Sequence, residues 1–216
     1  MASLSVESVG GVRTGALLAA CVADHGSATH PYYSSPALRN GANLADAVHF
    51  LCALHGRHPG IVDLAATRIV DPAGRAWLAS AAEAAAAERA LLTRLAVAAG
   101  PIPSTPGGGG SEAAIQAQRA ALATLALSDR KGCALGAALA FAADWIALRS
   151  VIEAAAKRLG VEPAPSSLGG EARLRAVADE AVTVERALLF GAQQLALQHR
   201  ALWDLLEARQ QARRDY

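Results

Sequence analysis

Apolar residues recur along most of the chain at three- and four-residue spacing. Nowhere do they alternate with polar ones over a usable strand length. That pattern predicts helices throughout. Residues 1–11 are small and polar and are expected to be loose, residues 12–24 to form a short helix, and 24–41 to be an ordered loop carrying His25, His30, Tyr32 and Tyr33. Asn43 is placed as the N-cap of the next helix, with Gly56 as a left-handed C-cap and Pro59 forbidding continuation. At about 100° per residue, Leu44, Ala47, Val48, Leu51 and His55 share its inner face. Asp46 and His49 lie three apart on the other side, where the carboxylate is expected to orient the imidazole. A short helix over 61–70 follows.

Four longer helices are expected beyond residue 74. The first, 74–99, carries Trp77, Leu78, Ala81, Ala85, Leu92 and Leu95 inward, with Glu88 near the centre of that face and Glu83 toward water. After a Pro/Gly loop over 100–111, Ser111 caps a helix to Ser128 in which Gln118 and Arg119 accompany Ile115, Leu122 and Leu125. The third, 130–159, has the row Ala134, Ala138, Phe141, Trp145, Leu148, Ile152, Ala155, Leu159, flanked by Asp144 and Arg149. Small residues in its first half let a neighbour approach closely. The last is read as one helix over 171–211, with Leu174, Ala181, Leu188, Leu195 and Leu202 in one heptad row and Val177, Val184, Gly191, Gln198 and Leu205 in the other. The expectation is an all-α, up-and-down antiparallel bundle of four longer helices plus two or three shorter N-terminal ones. It is read as a single domain over 1–216, with an arm and loop at 1–41, a short helix pair at 43–70 and a four-helix core at 74–211.

Composition narrows the function classes. A net charge of +1 and basic residues spread evenly argue against a nucleic-acid partner, and 4% aromatics leave little for base stacking. Alanine, the strongest helix former, makes up a quarter of the chain. Cys21, Cys52 and Cys133 are far apart and contain no CxxC, which fits a reducing cytoplasm and no disulfide framework. The apolar run over 132–148 is interrupted by Asp144, and a central Asp costs about 2.5–3.5 kcal/mol on insertion, so it reads as a buried helix rather than a span. Residues 18–21 resemble a lipoprotein cleavage box. The preceding apolar run is short and Glu7 sits where a basic leader belongs, so that reading of Cys21 is set aside.

Candidate chemistry centres on a few polar residues aimed into the core. His49, His55 and His58 are close in sequence but split by helical geometry, so they form no single ligand set. His55 lies on the core face at a helix C-terminus, where the dipole favours its charged form. A lone ionised Glu88 among alanines and leucines needs a partner, and Arg119 on the next, antiparallel helix is expected to supply it. His55, Glu88, Gln118, Arg119 and Asp144 are thus the candidate polar pocket, with Asp46, His49, Glu185, Gln198 and His199 as secondary residues. The chain has no Glu-x-x-His, and Glu185 and His199 are separated by about 21 Å at about 1.5 Å rise per residue, so no metal and no cofactor are expected. The absence of GxSxG and of a readable Cys–His pair leans against an enzyme.

The strings HGRHPGIVDLAA, PSTPGGGG and SDRKGCALGAALAFAADW resemble those of a small family of uncharacterised all-helical proteins from alphaproteobacteria. That resemblance implies no activity and carries over no residues. The expected function is therefore a cytoplasmic, bacterial helical-bundle binding or interaction module that self-associates into a homodimer or other homo-oligomer, with no membrane span. The alternative is an enzyme or cofactor binder with a small ligand in a polar pocket inside the bundle, like haem-oxygenase-like or ferritin-like proteins in size only.

Overall fold

The computed structural model describes residues 13–215, and among these the chain is all-α, with nine helices and no strand. They are α1 (Thr14–His25), α2 (Pro31–Ser34), α3 (Gly41–His55), α4 (Ile61–Ala66), α5 (Pro72–Ala98), α6 (Gly108–Ala126), α7 (Cys133–Leu159), α8 (Glu171–Glu180) and α9 (Glu185–Arg214). The loose segment expected over 1–11, Glu7 with it, lies outside the described residues. Single 3-10 turns at Ser27–Thr29 and Pro36–Arg39 bracket α2 within the expected loop, and Val182–Val184 makes a third.

Several boundaries differ from the sequence pattern. Asn40, not Asn43, caps α3, its side chain accepting from Ala42 N. Asn43 is instead buried and donates to the Ala37 carbonyl at 2.7 Å. Gly56 ends α3 in the right-handed region (φ −77°), so its smallness serves packing: a Cβ there would meet the Cys52 carbonyl at 2.5 Å. The helix expected over 171–211 is two, because the β-branched run Val182-Thr183-Val184 lies where α8 gives way to a 3-10 turn before α9.

α7 is the central element, packed on α1, α3, α4, α5, α6, α8 and α9. It is long and apolar enough to cross a membrane, yet 78% of its most apolar window is buried inside the bundle. Its closest partner is α9. A Cβ at Gly136 would lie 1.9 Å from the Leu188 carbonyl oxygen, and one at Gly191 2.1 Å from that of Cys133, so the two backbones touch where both residues lack side chains. Consecutive helices from α5 onward alternate in direction. As a result α5, α7 and α9 run the same way: Gly74 lies at Leu135 and Glu88 at Arg149, while Gly136 lies at Leu188 and Asp144 at His199. α3 runs against them, its start beside Arg213 and its end beside His199. α6 packs on α9, α3, α7 and α4 rather than along α5.

Candidate functional site

Four buried polar residues from four segments form one hydrogen-bonded chain through the middle of this packing. It starts in the turn after α1. Ser27 donates to Asp144 twice, from its backbone N to Oδ1 at 2.8 Å and from Oγ to Oδ2 at 2.5 Å. Gly26 makes that approach feasible, since a Cβ there would lie 2.5 Å from Asp144 Oδ1. Asp144 Oδ2 also takes His199 Nδ1 at 2.5 Å, and His199 Nε2 meets His55 Nε2 at 3.1 Å. Ser27 and His199 are completely buried, and Asp144 and His55 nearly so.

The partners restrict where the protons lie. A carboxylate accepts only, so His199 carries hydrogen on Nδ1. Two proton arrangements make the His55–His199 bond: a neutral His199 accepts at Nε2 from His55 Nε2–H and leaves the His55 Nδ1 lone pair outside the chain, whereas a charged His199 donates from Nε2 and leaves the hydrogen of His55 on Nδ1. Among the described residues no hydrogen bond reaches that nitrogen. Burial, and secondarily the His199 charge, push His55 well below its ordinary value of 6.5. The sequence-based expectation of a charged His55 at a helix C-terminus is thus overturned: desolvation of the imidazolium outweighs the dipole. Burial alone would raise the Asp144 carboxyl. The hydrogen bond and charge of His199, with the two bonds from Ser27, hold it below 3.8 instead.

His55 ends on a narrow crevice between α3, α4, α5 and α7, lined also by Ile61, Val62, Ala85, Phe141, Trp145 and Glu88, with Gly60 and Arg89 completing the wall. The free space there is about 10 Å³, room for roughly one water. Phe141 and Trp145 pack against the imidazole, with ring centroids 5.1 and 5.8 Å from it. Glu88 lines it with its charge already paired, Arg149 Nη1 lying 2.7 Å from both carboxylate oxygens. The expected partner, Arg119, is half-buried on α6 and no hydrogen bond or ion pair reaches it among the described residues. The reason is topological, because α6 does not lie along α5. Gln118 is likewise outside the crevice, its Oε1 buried without a partner.

The secondary residues part company. His199 is central. Asp46 faces away from His49 and is bonded by Arg209 at 3.0 and 2.9 Å and by Arg213, while His49 lines a separate surface groove beside α6 with Nε2 unpartnered. Glu185 accepts from Thr14 Oγ1 at 2.6 Å, at the far end of α9. Gln198 is half-buried beside the core row, in no hydrogen bond found among the described residues. Ser27 and Trp145 were missed as site residues. The Gly26-Ser27 pair just after a helix end was the available signal for Ser27.

Among the described residues, no three His, Cys, Asp or Glu side chains are grouped to hold a metal ion. His55 and His199 offer two ring nitrogens with no third ligand beside them. In the arrangement with a neutral His199, the chain can accept a proton from the crevice. A proton taken at His55 Nδ1 releases the one on Nε2 to His199 Nε2, and the resulting imidazolium lies against the ionised Asp144.

The profile of a family of unknown function, DUF6975, matches residues 22–214, and the chain belongs to that family. No curated protein and no solved structure matches it.

Proposed function

We propose that this member of a family of unknown function is a helical-bundle binding protein whose working centre is the buried chain Asp144–His199–His55. The chain presents a neutral imidazole nitrogen, His55 Nδ1, to a small ligand in the crevice. One observation carries the reading: this row of buried polar groups ends on a space rather than on a counter-ion. Ionisable groups are seldom sealed into an alanine and leucine core without charge partners. Here a carboxylate and two imidazoles are joined in series, and with His199 neutral the last has an open lone pair. Cys21, Cys52 and Cys133 are all free thiols, which supports action in a reducing compartment such as a bacterial cytoplasm.

The test needs no ligand. Nitrogen-15 spectra of the histidine rings, followed from pH 8 to pH 5, are expected to show His55 neutral throughout with hydrogen on Nε2, and His199 with hydrogen on Nδ1. A His55 that carries its hydrogen on Nδ1, or that titrates near its ordinary value, overturns the reading.

Self-association is a separate proposal. The 4-3 row of α9 is spent against α7 and α3, so a dimer would have to use other residues. Phe190 and Leu197, exposed one heptad apart on α9 with Gln193 and Gln194 between them, are the apolar residues left outward there.

A further inference from the structure

The groove that His49 lines is a separate space, about 650 Å³ in volume, between α3, α6 and the segment 100–102. Small-molecule sites run from about 300 to 1,000 Å³. Phe50 and Ile115, both buried, lie at its inner side, and Ile102, 41% exposed, at its outer side.

The glycine run at the start of α6 belongs to this region, and the fold explains only part of it. Gly100 and Gly107 lie in the left-handed region, at φ +76° and +75°, where glycine is favoured. Gly108, Gly109 and Gly110 have no positive φ, and a Cβ on any of the three would meet nothing within 4 Å among the described residues. Alanine would fit at each position and would favour the helix more. Bare backbone that the fold itself does not require leaves room for a ligand to come against it. Gly109 is the one of the three that lines the groove.

Charge selects the ligand. Glu112, three residues after Gly109, is the one Asp, Glu, Lys or Arg lining the groove, and no ion pair reaches it among the described residues. Arg209, stacked over Phe50, already has Asp46 as its counter-ion. Apart from the His49 ring and Gln116, the other side chains of the groove are apolar. We infer that the groove binds an organic ammonium ion with an apolar body. The ammonium donates to the Glu112 carboxylate, and the body lies against Phe50, Ile102 and Ile115 with the Gly109 backbone beside it.

The probe is benzylamine, an ammonium ion at neutral pH, with benzyl alcohol as its uncharged counterpart and benzoate as its anionic one. Each is titrated at constant pH while the amide resonances of Ala53, Gly109 and Ala113 are followed. Benzylamine is expected to move them saturably. Benzyl alcohol should bind about fivefold more weakly, the most that an exposed ion pair usually contributes, and benzoate more weakly still. Glu112→Gln should bring benzylamine down to the affinity of benzyl alcohol and leave benzyl alcohol unchanged. Gly109→Leu puts a side chain into the groove without a clash at its Cβ. It should therefore unfold in urea no earlier than the parent, yet lose both probes. Equal affinity for the three probes, a Gly109→Leu protein that binds benzylamine like the parent, or no saturable shift at any concentration the fold withstands overturns the inference. None of these outcomes depends on the protonation of His55, so this inference and the relay stand or fall separately.

Discussion

Two aspartates are buried to almost the same degree, Asp46 and Asp144, and each is surrounded by hydrogen-bond donors, yet they do different work. Asp46 meets guanidinium groups. Arg209 grips it at 3.0 and 2.9 Å, Arg213 joins from one turn later, and both arginines also reach Thr105 Oγ1, at 3.0 and 2.7 Å. Arg209 further donates to the Pro103 carbonyl at 3.1 Å and stacks over Phe50, and Arg213 bonds Asn43. A guanidinium is not deprotonated in proteins, so this arrangement has one protonation pattern. It ties the start of α3, the end of α9 and the loop between α5 and α6 into a fixed corner. Asp144 meets imidazole instead, and imidazole can hold a proton on either nitrogen or on both. Equal burial thus gives a rivet in one place and a movable proton in the other. The difference lies in the partner, not in the acid.

The sharpest way to break this comparison is Asp46→Ala. It leaves Arg209 buried with its charge uncompensated, and losing one member of a buried pair costs about 3–5 kcal/mol. Urea unfolding should show that loss, with increased mobility of residues 101–107 in the folded state. A change within about 0.5 kcal/mol would mean that water replaces the carboxylate and that the corner is not held by charge.

The imidazole side predicts a smaller, pH-dependent effect. His55 has a folded value well below the 6.5 of the unfolded chain. Between the two, the unfolded chain takes up a proton that the folded one refuses, so stability is complete above about pH 6.5 and falls as pH drops below it. One proton gives a slope approaching about 1.4 kcal/mol per pH unit, or about 2 kcal/mol by pH 5. Asp144, held below 3.8, adds stability that is present above 3.8 and lost only as pH falls further through its folded value. The two windows are therefore separate. His55→Phe keeps a ring against Phe141 and Trp145 and removes the upper window alone. Urea melts at pH 7 and pH 5 should then differ by about 2 kcal/mol less than in the parent protein. An unchanged difference would show that His55 is not the group refusing the proton.

How much of this was legible follows from which periodicities were read correctly. The inner row of α7 from Ala134 to Ala155 is buried as its spacing implies, and His55 falls on the inner face of α3. On α9 the second heptad row was read one residue early. The buried row is Leu188, Ala192, Leu195, His199, Leu202, Leu206, Arg209, a strict 4-3 series, while Gln198 and Leu205 are half-buried beside it. Read in that register, the sequence would have placed both His199 and Arg209 in the core, and with them the key partner of each aspartate. The pairing itself was out of reach, because it depends on which helices touch. Glu88 was correctly seen to need a cation, but sequence adjacency pointed to α6, whereas α7 is the neighbour that carries Arg149. The Ser27 contact depends on a backbone turn that brings residues 117 positions apart together, which no periodicity encodes.

The smallest predicted effect is the cleanest check on that topology. Arg119 sits half-buried on α6, in no hydrogen bond or ion pair found among the described residues. A substitution there touches no buried charge, so Arg119→Ala should shift stability by no more than about 0.5 kcal/mol. It should also leave the stability difference between pH 7 and pH 5 as in the parent, since Arg119 is not among the groups that set His55 or Asp144. A loss as large as that of a broken buried pair would mean that Arg119 compensates Glu88 after all. In that case the bundle would pack α6 along α5, and the crevice beside His55 would have a different wall.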